Sequence, residues 1–216
     1  MSEKNNILEL FPTPVYTTVL SEEYSTIIPF LDQEPMYDKD DTGDLDSINY
    51  GFRSKDSYLL NQDKYKEFGD YILSIVKNFS DMMGIKTKKY KFSQSWISHK
   101  TPNQHHAMHS HSNSIISGVF YYGHFDENTP IIEFHKPKLS LNMASFTPDY
   151  EPNPDYPFSY EKVTINPSPG LLLLFPSYLL HSVPLNTTNR VRKSLAFNCV
   201  PTQEVGSEFN LTELKF

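Results

Sequence analysis

Cysteine is almost missing from this chain. Cys199 is the one thiol in 216 residues, so no intrachain disulfide can form and no thiolate set is available to a metal. Glycine is scarce too, at eight, and neither a GxGxxG turn nor a Walker-type loop occurs, which removes the usual phosphate cradles. No long hydrophobic stretch exists: the longest apolar run, Leu171 to Phe175, falls far short of the roughly 20 residues a membrane-spanning helix needs. The first ten residues are polar and acidic, unlike a secretory signal, so a soluble, cytoplasmic protein without a membrane partner is the expectation. Positive charge is also in deficit. Nineteen Lys and Arg stand against 26 Asp and Glu, with no basic run, so no nucleic-acid partner is expected.

What the chain does have is aromatic and β-branched. Fifteen Phe and 14 Tyr, with 16 Pro between short apolar segments, favour strands joined by turns. The length fits one core, so residues 1–216 are read as a single domain. An edge strand is expected within Leu8–Leu20, where two prolines interrupt β-formers, and a short helix from the N-cap candidate Ser21 to about Leu31. Residues 35–54 read as an irregular loop. From Asp63 to Met83, apolar side chains recur every three or four residues, the stripe of a helix laid on a sheet. Beyond Gly84 the pattern becomes β-like, with strands expected at Tyr90–His99, Ile115–Tyr122, Ile131–His135, Glu161–Ile165, Leu171–Phe175 and Lys193–Val200. The fold class is therefore mainly β with supporting helices, a barrel or jelly roll with its core at about 90–200 and the strand and helices of 8–84 packed on it.

Five of the eight histidines fall between His99 and His111. In His109-Ser-His111 the two imidazoles are two residues apart, so an extended backbone turns both to one side, where they can take neighbouring positions on a metal. His181, 70 residues on (181 − 111), follows the buried strand at 171–175, a Pro-marked turn and a short strand, and is the candidate third ligand. Imidazole donors suit Fe, Zn, Cu or Ni over Mg or Ca. A solvated polar stretch is the competing reading, and spacing alone does not separate the two. His105, His106, His124 and His135 read as surface residues or supports for the ligands. Downstream, Arg192 and Ser194 share one face of a strand and together offer a guanidinium fork and a hydroxyl to a carboxylate. Arg190 reads as a solvated turn residue and Trp96 as core.

The segment Asn103–Tyr122, with its HxH, resembles the first metal motif of the 2-oxoglutarate/iron(II) oxygenases related to prolyl 4-hydroxylases, and Leu171–Asn198, with histidine, arginine and serine in turn, resembles the second. Leu10–Tyr16 and Ser95-Trp-Ile97 are similar to a bacterial and phage branch of that superfamily. The resemblance implies a double-stranded β-helix and an oxygenase with Fe(II), 2-oxoglutarate as cosubstrate and O₂. It implies His109, His111 and His181 as metal ligands, Arg192 and Ser194 on the distal carboxylate, and Tyr121, which shares a face with Ser117, beside them. For Tyr121, core packing is an equal alternative. Hydroxylation of an unknown peptidyl or small-molecule substrate is the implied outcome. The sequence departs from the family pattern twice. His111 stands where an acidic ligand is usual, and His99–Gln104 replaces a tyrosine followed by a Gly-Gln-like turn. Two other readings stay open: a cupin-like three-histidine enzyme independent of 2-oxoglutarate, disfavoured by the absence of an acid in Ser112–Ser117, and a non-enzymatic β module.

Overall fold

A computed structural model describes residues 10–37, 51–136, 151–156, 159–202 and 205–214. Among these residues ten strands alternate with few helices: β1 (Tyr16–Val19), α1 (Ile28–Asp32), β2 (Phe52–Arg53), α2 (Lys66–Met82), β3 (Tyr90–Lys100), β4 (His106–His109), β5 (Ile116–Tyr121), β6 (Ile132–His135), β7 (Lys162–Ile165), β8 (Leu171–Pro176), β9 (His181–Val183) and β10 (Arg192–Pro201). They form two antiparallel sheets, β1-β8-β5-β10-β3-β2 and β4-β9-β6-β7. This is the double-stranded β-helix expected from the sequence. No helix among the described residues is long and apolar enough to cross a membrane.

Two cores lie on the two faces of the larger sheet. On one face α2 packs Phe68, Ile72, Ile75, Val76 and Phe79 against Phe120, Leu172, Leu174, Leu195 and Phe197. On the other, between the sheets, Val119, Tyr121, Leu171, Leu173 and Phe175 meet Ile132, Phe134 and Leu179. Successive strand residues point to opposite faces, so a strand covered on both sides must be apolar at every position. This is why β8 reads Leu-Leu-Leu-Leu-Phe without alternation. Gly118 in β5 is required by the close packing on the helical side: a Cβ there would lie 2.3 Å from Phe197 Cζ and 2.8 Å from Leu174 Cδ2.

The structure corrects several local expectations. The segment after Ser21 is a 3-10 turn, Glu22–Ile27, that leads into α1, and Ser21 makes no side-chain cap. Pro29 sits at the start of α1, where its missing N–H costs nothing. Of the loop expected at 35–54, residues 38–50 lie outside the described set. Phe52–Arg53 is a strand, paired with His99 and Ser98. The short strand near His181 begins at that residue instead of ending before it.

Candidate metal and cosubstrate site

The pairing of β4 with β9 brings the candidate metal ligands together. His109 and His181 are directly opposed in the antiparallel register, so their side chains project from the same face. Past the end of β4, the His111 N–H donates to Ser177 O at 2.9 Å and ties the following turn to the residue after β8. The three imidazoles come together with ring centroids 4.2 Å (His109–His181), 5.1 Å (His109–His111) and 5.1 Å (His111–His181) apart. One ring nitrogen from each lies within 4.8 Å of the others.

The hydrogen bonds around these rings fit a metal. His109 Nδ1 donates to Ala107 O at 2.8 Å and His181 Nδ1 to Leu179 O at 2.9 Å. Each bond fixes the proton on Nδ1 and leaves the Nε2 lone pair free to ligate, the arrangement by which outer groups orient metal-binding imidazoles. Burial lowers the pKa of all three rings, His111 to about 4 and His181 to about 3, and for these two the neighbouring imidazoles add to it; for His109 the Ala107 carbonyl opposes the burial effect and the charge of Lys100 adds to it. The rings are thus neutral at physiological pH, the form a metal requires. A donor set of three neutral nitrogens suits iron and its later neighbours in the first transition row.

The candidate carboxylate-binding residues lie across the same cavity, on β10 and β5. Arg192 is 4% exposed, donates from Nε to Pro130 O at 3.0 Å and from Nη2 to Tyr121 Oη at 3.1 Å, and sits over the Tyr121 ring. Ser194 and Tyr121 line the cavity beside it. Ser117, on the same face of β5 as Tyr121, lies nearer His111: it is hydrogen-bonded to Ser177 Oγ at 2.9 Å and to Asn198 Oδ1 at 2.8 Å. The Asn198 amide in turn reaches to 3.5 Å from His111 Nδ1. Turning that amide over lets its oxygen accept the His111 Nδ1–H while its nitrogen donates to Ser117. His111 then carries its proton on Nδ1, as the other two do.

The family model described as "Putative 2OG-Fe(II) oxygenase" matches residues 94–198, which contain every side chain named in this cavity. Residues 94–198 place this part of the chain with the 2-oxoglutarate/iron(II) oxygenase superfamily. Solved structures share the fold of this oxygenase at low identity. A Pseudomonas putida prolyl-4-hydroxylase is 12% identical with a TM-score of 0.53, covering 86% of this chain and 92% of that one. HygX from Streptomyces hygroscopicus, solved with nickel and 2-oxoglutarate, is 9% identical with a TM-score of 0.57 over 88% and 84%. The epimerase SnoN, solved with Fe3+, alpha ketoglutarate and nogalamycin RO, is 11% identical with a TM-score of 0.59 over 88% and 80%. No curated protein sequence matches the chain. As an oxidoreductase of this superfamily, the enzyme uses iron, 2-oxoglutarate and O₂.

Other residues of the oxygenase fall where strand alternation puts them. Trp96, expected in the core, is half-buried and faces the cavity, its ring 5.9 Å from that of His111. On β3 it shares a face with Ser98 and Lys100, all three lining the site, while Ile97 takes the core side. Lys100 was not a candidate from the sequence: its two- and four-residue steps from Ser98 and Trp96 give a shared strand face but not its burial beside Arg192. His106 stacks on His109 at 4.1 Å. His135 bonds Ser182 Oγ at 2.8 Å, and His124 is exposed. Arg190, 52% exposed, pairs with Asp126 at 3.2 Å.

Proposed function

We propose that His109, His111 and His181 hold the iron of this oxygenase, that Arg192, Tyr121 and Ser194 bind the distal carboxylate of 2-oxoglutarate, and that the reaction is hydroxylation of a C–H bond. The observation that carries this is the convergence of three neutral imidazoles, two with Nδ1 engaged by backbone carbonyls, on a cavity whose other wall presents a buried guanidinium. When bound, iron with 2-oxoglutarate and O₂ supplies oxidative decarboxylation to succinate and CO₂, with the second oxygen atom delivered to the substrate. The chain's own part is to place and to shield. Tyr121 and Pro130 O hold Arg192 in a fixed direction, so its fork meets a carboxylate without reordering. Phe175 and Phe134, at 4.9 and 6.2 Å from the His181 ring, cover that ligand with apolar surface and keep water from it. Ser117 supports Asn198, which fixes the His111 ring. The primary substrate is a peptidyl or small molecule, and the reading places the enzyme in the cytoplasm of a bacterium or phage-infected cell as one domain, supported by the single, buried cysteine.

Anaerobic titration of the iron(II) protein with 2-oxoglutarate tests this. A weak visible metal-to-ligand charge-transfer band is expected in the wild type, lost in His181→Ala and reached only at much higher 2-oxoglutarate in Arg192→Ala. Bound iron without a band would refute the chelation and favour a three-histidine enzyme of another kind.

A further inference from the structure

Lys100 ends β3 inside the cavity, where a lysine is costly. It is 2% exposed, and its register partner across the β3–β10 ladder is Arg192. Register partners on neighbouring antiparallel strands project from the same face, and both side chains line the cavity that holds the three histidines. The site therefore contains two buried cations side by side. Burying one charge without a counter-ion is expensive, and burying two of the same sign is more so.

Among the described residues, no carboxylate offsets them: neither Lys100 nor Arg192 has one within ion-pair distance. Lys100 Nζ donates once, to Ser98 Oγ at 2.8 Å, a neutral oxygen. An ammonium has three donors, so two N–H groups remain for something else. Arg192 likewise commits Nε and one Nη2 bond and leaves Nη1 without a protein partner among the described residues. The metal end adds no negative charge, because its three ligands are neutral imidazoles.

Backbone chemistry has been fitted to the lysine. Gly51 packs on its side chain with φ +92°, and a Cβ there would lie 2.8 Å from Lys100 Cδ, 3.0 Å from Nζ and 2.5 Å from His99 O. Only glycine leaves room for the stem and adopts that backbone without strain. A leucine or methionine at position 100 would fill the space more cheaply if packing were its purpose.

We propose that Lys100 is a second cation of the cosubstrate site, closing with Arg192 on the distal carboxylate of 2-oxoglutarate. This rests on the cosubstrate reading above and adds a residue to it. Ser98 turns the ammonium, Tyr121 turns the guanidinium, and the carboxylate supplies the anion the cavity lacks. The pair makes selection for a dicarboxylate steep, since a keto acid without the distal carboxylate leaves two buried cations unpaired.

The test is the anaerobic charge-transfer titration of iron(II)-loaded wild type, Lys100→Met and Lys100→Gln, each with 2-oxoglutarate and with 2-oxopentanoate, which has the same chain and no distal carboxylate. Iron stoichiometry measured beforehand checks that each variant keeps its metal site. Loss of one charge-assisted contact raises the Kd for 2-oxoglutarate by about 10- to 100-fold, while the Kd for 2-oxopentanoate stays within about twofold. Unchanged 2-oxoglutarate affinity in both variants would overturn the proposal and leave the cosubstrate reading intact. Equal weakening for both keto acids would overturn it as well, by moving Lys100 to the metal end. A wild type with bound iron and no band with either keto acid would instead remove the cosubstrate reading, and the proposal with it.

Discussion

Replacing Lys100 by Met in the metal-free, ligand-free protein should make it more stable. Burial, and after it the charge of Arg192, lowers the Lys100 pKa from 10.5 to about 7. At roughly 1.36 kcal/mol for each tenfold change in proton affinity, holding this amine in the fold costs about 4 kcal/mol at pH 7. Methionine has a similar length and no charge, and forfeits only the Ser98 bond, worth about 1 kcal/mol. The net gain is about 3 kcal/mol, or roughly 6–12 °C in Tm for a chain of this size. Because the folded-state pKa lies below the unfolded one, the penalty is absent above about pH 10.5, grows as pH falls, and is complete below about 7. The gain should therefore be full at pH 6–7 and close to zero by pH 9.5. Urea unfolding of wild type and Lys100→Met in EDTA, followed by far-UV circular dichroism across that range, measures it. A variant less stable than wild type at pH 7, or a gain of equal size at pH 7 and 9.5, would refute the electrostatic account. The same substitution that steadies the empty protein is expected to weaken cosubstrate binding, which is how a residue kept for function differs from one kept for packing.

Asn198→Leu removes the amide between Ser117 and His111; iron(II) affinity, measured by competition with a chelator, should fall about 10- to 100-fold with circular dichroism unchanged. Gly118→Ala forces a methyl group into Phe197 and Leu174, and should cost roughly 1–3 kcal/mol or more in chemical unfolding. Because the pKa values of His111 and His181 are pushed down to about 4 and 3, proton competition should not weaken iron(II) binding as pH falls from 7.5 to 5.5. A fall of tenfold per pH unit beginning near 6.5 would show the rings to be ordinary, solvated imidazoles.

The linear pattern was sufficient for anything set by short-range periodicity. The three-and-four spacing from Tyr65 to Phe79 specified α2, the continuous Leu171–Phe175 run specified a strand buried on both faces, and the two-residue steps from His109 to His111 and from Arg192 to Ser194 put each pair on one side of the chain. Those regularities depend only on local backbone geometry. Partnership across the fold was decided elsewhere. Whether His181 faces His109 depends on the register of β4 against β9, and the motif resemblance supplied that pairing in place of a physical derivation. Trp96 was misassigned for a related reason: an aromatic residue on a strand is compatible with either face, and only the position of α2 on one side of β3 determines which face is core. Lys100 was hidden because its meaning lies in its neighbours. A lysine at a strand end is ordinary in water, and it acquires a function only when β10 brings Arg192 beside it, Gly51 covers its stem and no carboxylate among the described residues pairs with it. Burial and the company of like charge are properties of the assembled sheets, and no local stretch of sequence encodes them.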